Sequence, residues 1–231
     1  MIRSGEVMEK EISDRVIYKL YNTIAYFIAI NLCFMAANLL FLAVFFGFGL
    51  SKESLFLVIL SLIPLGPSMV ATSEAMGKFF RKEEVSPFSD FFKSYIKNFR
   101  QTIKFWMGEV MIGAILIFNI SYIMQVQNLY LILPILLFMC VMVILTNIYA
   151  VFYITKFEMD TRSLWVISIY SIYKYWKTTL LSIVILIASA TLYIQLPIVS
   201  VLALFSIIAY LINYNLQKIE TKVKERFVNG G

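Results

Sequence analysis

The side chains of this chain that could do chemistry are few, and they lie in apolar surroundings. In "LSLIPLGPSMVATSEAMGKFF", residues 60–80, two prolines and a glycine interrupt an apolar run and a glutamate follows. Pro64 and Pro67 cannot donate to a helix ladder, so carbonyls near Leu60 and Ile63 lose their usual donors. In hydrocarbon an unpaired backbone group costs several kcal/mol, so a neighbouring helix, a side chain or water must cover the break. Gly66 can cap one helix and Pro67 can start the next. That start would aim free N–H groups and a positive dipole end into the membrane interior. Ser68 and Thr72, four residues apart, share its face. Two outcomes fit. One is a small polar cavity that takes an anion or a hydroxylated ligand; the other is a kink packed by another helix.

Two carboxylates border the apolar zone. An intramembrane acid is a candidate for proton coupling. Glu74 is four residues from Lys78, and Glu109 follows Lys104 by five, or about 7–8 Å along a helix. Both can therefore also reach an interface and pair with basic residues there. With Asn31 in the first apolar run, Gly66, Pro67, Ser68, Thr72, Glu74 and Glu109 make up the candidate polar cavity. Asn38, Asn119 and Asn147, like Asn31, suit hydrogen bonds between helices.

Other chemistry finds no residues. There is no histidine, which removes a Ser-His-Asp triad and the commonest metal ligand and general base. Phosphate-binding glycine loops and zinc spacings are absent. Cys33 and Cys140 sit in apolar runs and suit packing. The expectation is a protein that is not an enzyme, with no catalytic, metal-binding or cofactor-binding residues.

The elements that position these groups follow from composition. The 231 residues are 61 % hydrophobic, 16 % aromatic and only 15 % charged, against about 45–50 % apolar in a soluble domain. The bilayer must be the main solvent. Apolar runs long enough to span lie at 24–50, 55–76, 105–122, 129–155, 178–194 and 196–214. Of the 20 lysines and arginines, all but Lys52 fall in alternate connections and at the two ends. The positive-inside rule then places both termini and the long loops in the cytoplasm. No cleavable signal segment is read at the start, so the first span itself directs insertion. The expected fold is an all-α, polytopic bundle of six transmembrane helices in the plasma membrane, N-in and C-in. The net charge of +6 is accounted for by this bias and by attraction to anionic headgroups, with no nucleic acid.

Two cytoplasmic segments have amphipathic periodicity. Over 87–104, apolar residues recur at Phe88, Phe91, Phe92, Tyr95, Ile96 and Phe99, while Lys93, Lys97, Arg100 and Lys104 form a separate stripe. Ser86 as N-cap and Pro87 at the first position mark the start. Such a helix suits the interface, with rings in the acyl boundary and ammonium groups among phosphates. At an offset of 77 residues the pattern returns over 163–177: Ser94, Lys97, Arg100 and Thr102 fall on Ser171, Lys174, Lys177 and Thr179. The repeat is parallel: span in, interfacial helix, span out. Its basic residues are candidates for docking lipid headgroups or a partner.

Gly66-Pro67-Ser68, the basic turn Arg81-Lys82-Glu83-Glu84, Phe91-Phe92 and Asn98-Phe99 come in an order that resembles the YesL-like bacterial integral membrane proteins, domain of unknown function 624. Asn31-Leu32 matches an asparagine-leucine pair in the family's first span. The likeness is specific over 59–113 and weaker over 22–190. Ser68 stands where the family usually has alanine. No activity comes with the resemblance. It implies an association with carbohydrate uptake, and so an accessory or regulatory subunit beside a sugar-import permease. The alternative from the residues is a small transporter or channel with its cavity at the Gly66-Pro67 break.

Overall fold

The computed structural model describes residues 2–48, 55–81, 83–125 and 127–229. Lys52, Lys82 and the last two residues of the expected first span, 49–50, lie outside them. The described residues form helices α1 (Ile2–Ala37), α2 (Leu39–Phe48), α3 (Leu55–Ser61), α4 (Leu65–Phe80), α5 (Pro87–Ile123), a 3-10 turn (Gln127–Ile132), α6 (Leu133–Ile154), α7 (Thr161–Lys174), α8 (Trp176–Gln195) and α9 (Pro197–Asn229), and no strand. Among the described residues six segments are long and apolar enough to cross a membrane: Ile17–Ala37, Phe56–Phe80, Pro87–Ile123, Tyr130–Ile154, Trp176–Gln195 and Ser200–Glu220.

The burial pattern is that of a protein solvated by lipid. Leu131, Ile194, Phe118 and Phe56 point outward. Inside lie Asn31, Ser61, Ser68, Thr72, Thr102, Glu109, Ser182 and Asn213. In water that distribution would be upside down. In hydrocarbon the outward leucine loses nothing, and the inward small polar residue lets helices approach and bond. α4 is the hub and packs on α5, α9, α1 and α6. One apolar cluster joins Tyr26, Ile30, Phe34, Ala71, Ala75 and Phe91. A second joins Phe105, Tyr149, Phe152, Tyr153, Leu164 and Leu216.

Several boundaries differ from the sequence expectation. The first apolar run is split at Asn38, whose side chain donates to the Phe34 carbonyl at 2.7 Å and competes with the backbone ladder. The expected interfacial helix 87–104 and the span 105–122 are one helix of 37 residues. At 1.5 Å per residue it is about 55 Å long, well beyond the ~30 Å of a hydrocarbon core, so its first half extends past one boundary. Ser86 precedes this helix in extended backbone but makes no side-chain cap. Asp90 caps instead, accepting the Ser86 N–H at 2.8 Å and the Lys78 ammonium at 2.9 Å. The second amphipathic segment starts at Thr161, capped by Asp160, and stops at Lys174. Tyr175 breaks the chain direction (φ −108°, ψ 45°), which leaves Lys177 on α8.

Candidate functional site

A side chain meets the proline-glycine break at one of its carbonyls. α3 ends at Ser61, residues 62–64 turn, and α4 begins at Leu65. Its N-cap is Pro64, not Gly66, and Pro67 lies inside the first turn. The carbonyl of Leu60 is taken by the Ile63 N–H at 3.3 Å. The carbonyl of Leu62 accepts from Leu65 and, at 2.8 Å, from the indole N–H of Trp106 on α5. Gly66 is what lets Trp106 in: a Cβ there would stand closer than 3.0 Å to the indole side chain. The space beside Gly66 is therefore filled by the tryptophan.

The other polar residues expected to share that space have separate partners. Ser68 donates to the Leu65 carbonyl at 2.8 Å and accepts from Asn38 at 2.7 Å. Thr72 bonds back to the Ser68 carbonyl at 2.9 Å. Asn31 crosses to α9. Its amide nitrogen donates to the Val201 carbonyl at 2.6 Å and its oxygen accepts the Phe205 N–H at 3.2 Å. Those two backbone groups are one turn apart on α9.

The two glutamates part company. Glu74 meets α5, accepting from Ser94 at 2.6 Å and Asn98 at 2.7 Å, with the Lys97 ammonium at 3.7 Å. Among the described residues Glu109 finds no basic partner. One of its oxygens accepts from Asn147 on α6, and the other has no partner although the residue is buried. Gly108 beside it leaves room for the Trp165 indole, 3.3 Å from where a Cβ would stand.

Glu74 also lines a half-open cavity of about 280 Å3 between α4, the end of α6 and α9. One wall is Ser73, Glu74, Gly77 and Arg81; Thr155 and Lys156 form another, Asn213 and Glu220 the third. Asn213 donates to Ser73 Oγ at 3.1 Å and to its carbonyl at 3.0 Å, which ties α9 to α4. Lys156 pairs with Glu220 at 3.0 Å. Gly77 keeps the floor low: a Cβ there would sit 3.3 Å from both Arg81 Nη1 and Asn213 Oδ1. Arg81 bonds Glu83, and this hydrogen bond holds the Glu83 carboxyl below the usual carboxylate range. Apart from Glu74, sequence reasoning missed this site. A signal existed: Asn213 and Asn215 stand two apart in the last apolar run, where unpaired amides are expensive.

The basic residues proposed for docking are at the surface. Lys93, Lys97, Arg100 and Lys104 are exposed on α5, as are Phe88, Phe92, Ile96 and Phe99. Lys174 lies over the rings of Tyr170 and Tyr175, and Lys177 over that of Trp176. Beneath them, Ser171 bonds the Tyr153 hydroxyl at 2.7 Å and Thr179 that of Tyr149 at 2.8 Å. Among the described residues no three Cys, Asp or Glu side chains group as a metal site.

Six apolar segments, an outward lipophilic surface and an inward polar network define an all-helical, multi-pass integral membrane protein. Residues 27–120 match the model of the family described as "Protein of unknown function, DUF624", the family to which the resemblance pointed. No curated protein matches the chain, and no solved structure does.

Proposed function

We propose that this protein is an accessory or regulatory membrane subunit that works beside a carbohydrate importer in the plasma membrane. Both termini and the basic helices lie on the cytoplasmic side. The observation that carries the reading is the surface of α5 and α7. Phe88, Phe92, Ile96 and Phe99 on one, with Ile169, Tyr170 and Tyr173 on the other, stand exposed beside lysines and arginine. Rings at this level anchor in the acyl boundary, and the cations hold anionic headgroups or an acidic partner surface. The importer as partner rests on the family resemblance. The two helices belong to a parallel repeat offset by 77 residues. In support, Ser94 and Ser171 each bond the last turns of the preceding helix, at Glu74 and Tyr153. The test is purification from native membranes in mild detergent with mass spectrometry of co-purifying chains. A permease subunit in stoichiometric amount, lost on reversing the charge of Lys93, Lys97 and Arg100, is the expected result. Isolation of the protein alone, with normal sugar uptake in a deletion strain, would sink the reading.

The cavity between α4, α6 and α9 favours a second reading, a small transporter or channel. Its polar space lies beside Gly77 and not at the Gly66-Pro67 break, which Trp106 fills. Flux of an ion, sugar or osmolyte in liposomes, abolished by Gly77→Leu, would support it. Sealed vesicles with no flux of any of them would count against it.

A further inference from the structure

Four buried polar side chains follow one strip of α5: Ser94, Asn98, Thr102 and Glu109. At 3.6 residues per turn they fall within an arc of about 80°, and the strip climbs about 22 Å from end to end. Its first two members are satisfied, since Ser94 and Asn98 both donate to Glu74 at the edge of the cavity. The next two are not. Thr102 Oγ1 and Glu109 Oε1 are buried without a hydrogen-bond partner.

Depth makes Glu109 unusual. Counting back about 20 residues, or ~30 Å of hydrocarbon, from the end of α5 puts the boundary near Lys104. Glu109 then lies about 7–8 Å inside it. An ionised carboxylate at that depth needs a compensating charge. Among the described residues the helices packed on α5 supply none at this level. α4 brings Glu74 to Ser94 and Asn98, and Lys97 attends it from α5 itself. α6 brings Asn147, a neutral amide, while its Tyr149 and Tyr153 hydroxyls are bonded to Thr179 and Ser171. α7 brings Trp165 against Gly108, and its Lys174 stacks on Tyr170 and Tyr175. α1 brings Tyr26, whose hydroxyl donates to the Ala75 carbonyl.

We propose that Glu109 and Asn147 form an intramembrane proton-binding site, loaded along the buried strip of α5 from the cavity at its basic end. Asn147 donates to one carboxyl oxygen and so leaves Oε1 to carry the proton. Thr102, whose hydroxyl both donates and accepts, is the intermediate station. Phe105 lies between Thr102 and Glu109 on the same side of the helix, buried against Trp165 with ring centres 4.5 Å apart. Exchange with the cavity requires that pair to shift or a water to pass it.

Dicyclohexylcarbodiimide, which dissolves in lipid, tests the site. A carboxylic acid adds across one of its N=C bonds, the proton going to nitrogen and the oxygen to carbon. Rearrangement gives an N-acylurea that retains the whole reagent. The full-length protein in phosphatidylcholine nanodiscs is treated from mildly acid to alkaline pH and mapped by peptide mass spectrometry. The expected adduct sits on Glu109, persists in Glu74→Gln and falls about tenfold per pH unit once the acid ionises. Observation of the Glu109 peptide without adduct at every pH overturns the proposal, and needs no variant to fold. Infrared spectroscopy tests the route. The carbonyl band of a protonated acid, assigned by its loss in Glu109→Gln, should decay several-fold more slowly after an alkaline jump in Thr102→Val. Equal decay rates would remove the strip as the path.

Discussion

The indole N–H of Trp106 donates to the backbone carbonyl of Leu62 at 2.8 Å, across two helices and 44 residues of sequence. A helix broken by proline inside a membrane must find outside donors for its carbonyls, and here the neighbouring helix provides one. Removing the donor should therefore cost more than the loss of packing alone. Trp106→Phe keeps a ring but leaves the Leu62 carbonyl with the Leu65 N–H alone, a loss of about 0.5–1.5 kcal/mol. Gly66→Ala should destabilise by ~1–3 kcal/mol through overpacking against the same side chain. Thermal unfolding in detergent reads both. If Trp106→Phe is as stable as the wild type, the contact does not cover the break.

Glu74 offers a contrast between a paired charge and buried hydrogen bonds. Lys97 is 3.7 Å away and its side chain 61 % exposed, so Lys97→Ala should cost less than about 1 kcal/mol. Glu74→Ala strips acceptors from the buried Ser94 and Asn98 and should cost about 1–3 kcal/mol. The order of the two melting temperatures decides between them. A larger loss for Lys97→Ala would mean the ion pair is the main tie between α4 and α5.

Asn31 bonds a carbonyl and an N–H that are one turn apart on α9. Asn31→Leu leaves that pair to the ladder of α9, so its cost should stay near the ~0.6 kcal/mol average for hydrogen bonds between membrane helices. A loss above about 2 kcal/mol would show that the ladder of α9 alone does not satisfy the pair.

Asp160 gives the basic face a local pH dependence. Its carboxylate accepts the Ser163 N–H at 3.2 Å, and the Ser163 side chain first, with that backbone bond second, holds its pKa below the usual aspartate value. A depressed folded value means the cap is in full strength above about pH 3.9, the unfolded value, and is lost as pH falls through the folded one. Hydrogen exchange at Ser163 should show protection that disappears in acid, and no protection at any pH in Asp160→Ala. Protection that survives in the alanine variant would assign the start of α7 to other contacts.

The amphipathic stripe of α5 was legible because periodicity is local: Phe88, Phe92, Ile96 and the lysines face outward at the spacing that the residues dictate. The helix end was not. Nothing near Lys104 breaks the backbone, so the amphipathic and spanning halves run on as one helix. In the second segment Tyr175 does break it, although the residues around both places read alike. Thr161–Lys174 therefore stops three residues short of the expected end.

The residues of the cavity were hidden for a different reason. Arg81 and Lys156 read as charges of the connections, and Ser73, Gly77 and Asn213 drew no reading from the sequence. Their meeting depends on α9 returning beside α4, with 140 residues between Asn213 and Ser73.

By itself the sequence determined the solvent, the six apolar segments and the faces of the basic helices. Each follows from transfer free energy and from side-chain spacing along a short stretch of chain. Only the tertiary structure decided which polar group meets which. Glu74 reached Ser94 and Asn98, Glu109 met Asn147, and Trp106 met the break at Leu62. Those pairings depend on how each helix is rotated against its neighbours. Rotation is set by packing between segments far apart in the chain, which no local pattern encodes.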